Sequence, residues 1–225
     1  WTHWKGKSVT PYKFAVFDFD GTLVDSVDAI AKGIQKANQT IGIKPVSYET
    51  AKSVIGLGFK DIIPIVASDL DPARYEEYKN IYVGYFLQSD PYLKLFPKVL
   101  DLMDRLHEAG IKTAIATGKS RKGLSRIVNR MGIEAYFDDS VTSDEAKPKP
   151  DPLMLHMLME RGGFKPSDMV MVGDTEHDIR LAKAAGVDAI AVSWGAAPRL
   201  RLEEYQPKHI ADTMDELASM LGVRV

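Results

Sequence analysis

The stretch Phe17–Ser26, FDFDGTLVDS, decides how this chain is read. It follows the apolar run Phe14–Phe17 and sets two aspartates, Asp18 and Asp20, two residues apart, with Gly21 and Thr22 directly after them. Carboxylates at this spacing repel each other, so the end of a strand is a poor place for them unless something there uses negative charge. The run before them does not alternate apolar with polar. That is the pattern of a strand buried on both faces of a sheet.

Working outward, similar runs recur at Lys112–Ala116, Met169–Val172 and Ala189–Val192. Amphipathic segments lie between them, at Val99–Ala109, Leu124–Met131, Leu153–Arg161 and Ile179–Ala185. Strand and helix in alternation predict an α/β fold, a Rossmann-like parallel sheet with helices on both faces. In such sheets ligands bind at the carboxyl ends of the strands. One region breaks the alternation. From Val27 to Tyr92 there are helical patterns and no convincing strand, with Asp71-Pro72 as a helix start and aromatics recurring through Tyr75, Tyr78, Tyr82, Tyr85 and Phe86. This predicts a small α-helical domain at 26–92, inserted in a core made of 1–25 and 93–225. The aromatic stripe reads as the packing of that insert.

The totals bound the function. The chain has 225 residues, 45% of them apolar, a net charge of −2 and no cysteine. Both signs of charge are spread along it, with no basic stripe for nucleic acid. Without cysteine there is no disulfide framework, thiolate metal site or cysteine nucleophile, and a reducing compartment, the cytoplasm, is the expected location. No apolar run approaches the roughly 18–20 residues of a membrane span. The polar start, WTHWKGKSVTPYK, lacks the apolar centre of a secretion signal, and Trp1 and Trp4 read as surface packing.

The strand ends carry the chemistry. After Lys112–Ala116 come Thr117, Gly118 and Lys119; before the Leu153 helix comes KPKPDP, with Lys147 and Lys149; after Met169–Val172 come Gly173, Asp174, Thr175, Glu176, His177 and Asp178. In a parallel sheet these points share one edge. Hard carboxylate oxygens from Asp18, Asp20 and Asp174, with Asp178 close behind, suit Mg²⁺. Thr117 offers a hydroxyl, Gly118 a close backbone approach, and a lysine a fixed positive charge. Such a set would hold a phosphate against a carboxylate nucleophile. Taken singly, each feature is also an ordinary turn, helix cap or surface lysine. ATGKS at Ala116–Ser120 is not a P-loop, because the first glycine of that motif would stand at Thr113. His107, His156 and His177 lack metal-site spacing and read as structural or surface residues. Met154, Met157, Met159, Met169 and Met171 read as core, and Trp194 as packing near the sheet edge.

The four strand-end motifs together resemble the haloacid dehalogenase superfamily of phosphatases, and more narrowly its phosphoglycolate phosphatase and β-phosphoglucomutase branch. The resemblance rests on DxDGT at Asp18–Thr22, the strand-end Thr117, a lysine in a KPxP context and GDxxxD at Gly173–Asp178. It implies Asp18 as nucleophile and Mg²⁺ ligand, and Asp20 as general acid and base that also gives a backbone carbonyl to the metal. It implies Thr117 as a phosphoryl hydrogen-bond donor and Asp174 as a metal ligand. Gly21, Thr22, Gly118 and Asp178 support the site. The catalytic lysine is Lys149 by its distance from the GD motif, with Lys147 the alternative. The acid at Asp20 points to a phosphate ester, where a leaving oxygen needs a proton. The resemblance also makes the insert a cap that chooses the substrate, with GLGFKD at Gly56–Asp61 facing the site, Phe59 walling it and Lys60 meeting a substrate carboxylate. A small phosphorylated metabolite, phosphoglycolate first, is the expected partner, and the number of subunits stays open. The alternatives are a phosphomutase on the same scaffold and, further off, a non-catalytic phospho-acceptor or binding module.

Overall fold

The computed structural model describes residues 11–225. Six strands, β1 (Phe14–Phe17), β2 (Lys112–Ala116), β3 (Asp139–Val141), β4 (Met169–Gly173), β5 (Asp188–Val192) and β6 (His209–Ala211), form one sheet in the order β3-β2-β1-β4-β5-β6. Every pairing is parallel. Through β2 and β3 the chain builds outward on one side of β1, and from β4 it builds outward on the other. The carboxyl ends of β1 and β4 therefore flank the point where the strand order reverses, which is where such sheets open a crevice. The register pairs Phe17 with Ile115 on β2 and with Val172 on β4, so the strand-end residues of all three come level.

Ten α-helices accompany the strands. The first four are α1 (Val27–Ile41), α2 (Tyr48–Ser53), α3 (Phe59–Val66) and α4 (Tyr75–Ser89). The others are α5 (Val99–Glu108), α6 (Arg121–Met131), α7 (Leu153–Gly162), α8 (Glu176–Ala184), α9 (Arg199–Glu204) and α10 (Met214–Met220). On β1, Ala15 and Phe17 face one way and pack with α5, α6 and α10, while Phe14 and Val16 face the other and pack with α7, α8 and α9. Both faces are thus covered, which is why β1 is apolar at every position. Burying one such phenylalanine contributes about 1.5–3 kcal/mol.

Between β1 and α5 the chain forms only helices, α1 to α4 and two short 3₁₀ turns. It leaves and returns on two antiparallel linkers: the Asp25 amide donates to the Lys94 carbonyl at 2.9 Å and the Phe96 amide to the Leu23 carbonyl at 2.9 Å. A buried ion pair ties the insert to α6, with Arg126 Nε 2.9 Å from Asp90 Oδ2. Asp71 caps as the sequence suggests, its carboxylate accepting from the Ala73 amide at 2.9 Å, but the turn it opens is 3₁₀ (Pro72–Arg74) before α4 begins. Two strands escaped the sequence reading. β3 (DSV) and β6 (HIA) are three-residue edge strands, and neither presents an apolar run. Residues 1–10 of the polar start lie outside the described residues, Trp1 and Trp4 included. Among the described residues no helix is long and apolar enough to cross a membrane.

Candidate active site

Asp18 is the first residue beyond β1, and it is buried. Its two oxygens have different neighbours. Oδ1 accepts from the Phe19 amide at 2.7 Å and lies 3.0 Å from Lys149 Nζ; Oδ2 is buried and accepts no hydrogen bond. Lys149 is 2% exposed, and its ammonium is shared between Asp18 and Asp178, the latter at 2.7 Å. Lys147 points away: its side chain is 75% exposed, near Asp151. Burial acts against the Lys149 charge, but the Asp178 and Asp18 carboxylates outweigh it and hold the ammonium above its usual range.

Asp174 follows β4 and is fully buried. Its Oδ1 accepts from the Thr22 hydroxyl at 2.9 Å, and its Oδ2 accepts from the Ala196 amide at 2.7 Å. Burial and the neighbouring Asp178 push its carboxyl up to about 7, against the pull of those two donors. Burial also raises Asp18 well above the usual carboxylate range; Lys149 offsets part of this, while Asp178 and Asp174 add to it. Asp178 serves two structures at once. Its Oδ2 accepts from the Thr175 amide and hydroxyl, both at 3.0 Å, fixing the start of α8, and its Oδ1 holds Lys149. Gly21 is required for this packing. Its φ is +77°, and a Cβ there would stand 2.2 Å from Asp174 Oδ2.

Ligand oxygens of Asp18, Asp174 and Asp178 lie within 4.8 Å of one another. Beside these three buried carboxylates lies the Lys149 ammonium, which pairs with two of them, Asp18 and Asp178, and one oxygen, Asp18 Oδ2, has no donor. That is an uncompensated hard-oxygen cluster, and the donor set fits Mg²⁺. The Asp20 carboxylate lies outside this cluster. Ser26 Oγ donates to its Oδ1 at 2.7 Å, and Lys119 Nζ sits 3.0 Å from its Oδ2.

Residues 15–192 match the family model for haloacid dehalogenase-like hydrolases. The chain belongs to this family. The phosphoglycolate phosphatase of Vibrio parahaemolyticus is 32% identical over 220 residues, covering 94% of this chain and 96% of that protein. The one from Vibrio vulnificus strain YJ016 is 29% identical over the same lengths. Two crystal structures share the fold. A predicted phosphoglycolate phosphatase from Haemophilus somnus superposes with a TM-score of 0.83 at 23% identity, covering 94% of this chain and 99% of that one. A predicted phosphatase from Clostridium acetobutylicum gives 0.81 at 23%, covering 92% and 96%.

In this dehalogenase-like hydrolase the insert closes directly on the strand ends. Gly56 sits over the site, where a Cβ would lie 3.6 Å from Asp18 Oδ2. A Cβ on Gly118 would come 2.5 Å from the Gly56 carbonyl oxygen and 2.7 Å from that of Leu57, so only glycine lets the two loops meet. Thr117 is buried beside them, its hydroxyl accepting from the Lys119 amide at 3.1 Å. Phe59, Tyr78 and Tyr82 form an aromatic group behind the Gly56 loop, with Phe59–Tyr82 centroids 6.2 Å apart. Burial, then the Asp20 charge, holds the Tyr82 hydroxyl above its usual range.

Three details differ from the sequence reading. Phe59, Lys60 and Asp61 form the first turn of α3 and are not loop residues; Lys60 is exposed there, while Phe59 packs inward. His177 is half-buried between α8 and the insert, its Nε2 3.3 Å from the Ser53 carbonyl oxygen, because the GDxxxD loop is covered by the insert. Trp194 donates to the Thr22 carbonyl at 3.2 Å and so braces the first motif. The sequence reading gave Lys119 and Ser26 no role at the site. For Lys119 a signal existed, since it stands two residues beyond the strand-end Thr117. Ser26 reaches Asp20 only through the fold.

Proposed function

We propose that this chain is an Mg²⁺-dependent phosphatase of small phosphate monoesters that carries the phosphoryl group on Asp18. The observation that carries the reading is the asymmetry of the Asp18 carboxylate. One oxygen is fixed by an amide and an ammonium, and the other is free, under the mouth that Gly56 covers. A nucleophile needs that arrangement, with orientation from one oxygen and a lone pair from the other.

Asp18 Oδ2 attacks phosphorus and the ester P–O bond breaks. Asp20, steadied by Ser26, gives its proton to the leaving oxygen. In the second half Asp20 takes a proton from water, the water oxygen attacks phosphorus, and the P–O bond to Asp18 breaks to release phosphate. Lys149 neutralises Asp18 and the transferring group, and the Thr117 hydroxyl is placed to donate to a phosphoryl oxygen. Asp18, Asp174 and the Asp20 backbone carbonyl would hold Mg²⁺, with Asp178 beside them; bound there, the ion neutralises charge on the phosphoryl oxygens. The segment 26–92 acts as the cap, excluding bulk water once the substrate is in place. The relatives named above make 2-phosphoglycolate the first substrate to test.

The test is phosphate release from a panel of small phosphate esters, with Mg²⁺ and with EDTA. Mg²⁺-dependent release from 2-phosphoglycolate is expected. Release that persists in EDTA, or no release from any ester, would overturn the reading.

A further inference from the structure

We propose that Lys119 determines specificity by binding a carboxylate on the alcohol side of the substrate, one or two bonds beyond the ester oxygen. This rests on the phosphatase reading above and names the feature by which that site selects its substrate.

Position comes first. Lys119 follows β2, and its side chain is only 12% exposed. Its Nζ lies 3.0 Å from Asp20 Oδ2. A general acid must come within about 2.6–3.2 Å of the oxygen it protonates. The atoms joined to that oxygen therefore arrive beside the Lys119 ammonium, and Asp20 and Lys119 together bracket the alcohol half of the ester.

Availability comes second. Lys149 is already committed to two carboxylates, Asp18 and Asp178. Lys60 is exposed on α3. Lys119 has one carboxylate partner among the ion pairs of the described residues. Its ammonium also lies 4.2 Å from the centroid of the Phe86 ring, in the insert. A ring face holds a cation in place without consuming its hydrogen bonds. The ammonium is thus pre-positioned and retains donors for a second carboxylate.

Surroundings come third. The Phe86 ring of the insert lies against the Lys119 ammonium, so the alcohol half of the substrate would enter beside an aromatic wall. An anion paired with a semi-buried ammonium in such a place is bound far more strongly than at an open surface.

The experiment compares 2-phosphoglycolate with ethyl phosphate, in which a methyl replaces the carboxylate. Both are assayed with Mg²⁺ on the wild-type chain and on Lys119→Met, Lys119→Gln and Lys119→Arg. Wild type is expected to prefer 2-phosphoglycolate. In Lys119→Met and Lys119→Gln the ratio of kcat/KM for the two esters falls at least ~10-fold, mainly through the KM for 2-phosphoglycolate, and Lys119→Arg recovers part of it. An unchanged ratio, with both esters slowed alike through kcat, would mean that Lys119 only positions Asp20, and the proposal fails. A wild-type enzyme that hydrolyses both esters without preference also overturns it, yet leaves the phosphatase reading standing. Wild type that hydrolyses neither ester, nor any other on the panel, removes both.

Discussion

The strand-end shelf and the insert that covers it contribute different kinds of group. The shelf supplies the ionisable side chains: Asp18, Asp20, Lys119, Lys149 and Asp174 project from β-strand ends or the loops beyond them, and Asp178 from the first turn of α8. Nearly all of them are buried and held by at least one hydrogen bond or ion pair. The insert meets the strand ends with backbone carbonyls at Gly56 and Leu57 and with the ring of Phe86. Its own lysine near the site in sequence, Lys60, is exposed. Charge therefore belongs to the rigid half of the molecule, where a parallel sheet fixes its geometry. Shape belongs to the half that, on the proposed reading, opens and closes as a cap. A charged group on a moving element would have to be desolvated at each closure, whereas a carbonyl or a ring costs less to bury.

The comparison breaks most sharply at Asp18. Asp18→Asn keeps one oxygen for the Phe19 amide and for Lys149, so the fold should persist by circular dichroism. Turnover should drop by about 10⁴-fold or more. Activity near wild type would move the nucleophile elsewhere. Lys149→Ala comes next, with kcat down by roughly 10²–10³-fold, against a change of less than about 2-fold for Lys147→Ala. If the two effects were exchanged, the buried ion pairs of Lys149 would be structural only.

Gly118→Val probes the contact between the halves. The added side chain cannot fit against the Gly56 and Leu57 carbonyls, so closure is impeded. A loss of roughly 10–100-fold in kcat/KM is expected while the thermal midpoint stays within a few degrees. Full activity would mean that the closed arrangement is not the working one.

Metal and pH address the shelf by itself. Asp174 is pushed up to about 7 in the folded chain, above its value when unfolded. Its contribution to stability is complete below the ordinary carboxylate range and is lost as pH rises through about 7. Without metal, the thermal midpoint should fall between about pH 4 and 7 for this reason. Mg²⁺ binds the deprotonated cluster, so at about 100 times its Kd it should raise the midpoint by about 5–10 °C at pH 8, and by less at pH 5. An equal rise at both pH values, or none, would separate the acidic cluster from metal binding. The smallest effect belongs to Lys60→Ala, which should alter kcat/KM for 2-phosphoglycolate by less than about 2-fold. A large loss there would return the charge to the insert.

Much of this was legible in the sequence, for reasons that can be named. Phe14–Phe17 and Met169–Val172 are apolar throughout, and Lys112–Ala116 is buried at every position after its exposed first lysine, because both faces of these strands are covered; such runs show without any tertiary knowledge. The polar residues directly after them had to fall on one edge once the sheet was parallel. β3 and β6 were not legible, because a three-residue edge strand is specified by its neighbour and not by its own composition. The setting of Lys60 was not legible, because a helix starting after Gly58 puts an expected loop residue on an exposed helical face.

By itself the sequence determined the fold class, the helical insert and the acidic strand-end motifs, because hydrophobic periodicity and local spacing are properties of contiguous residues. Only the tertiary structure decided which of two nearby lysines is buried against Asp18, that Asp18 keeps one oxygen free, that Asp178 is both helix cap and counter-ion, and that Lys119 stands beside Asp20. The ion pairs among these contacts span 29 positions of chain for Lys149 and Asp178, 99 for Lys119 and Asp20, and 131 for Lys149 and Asp18, and they depend on burial as well as proximity. Burial and the paths of distant segments are set by how the whole sheet and its insert pack, and no local pattern encodes them.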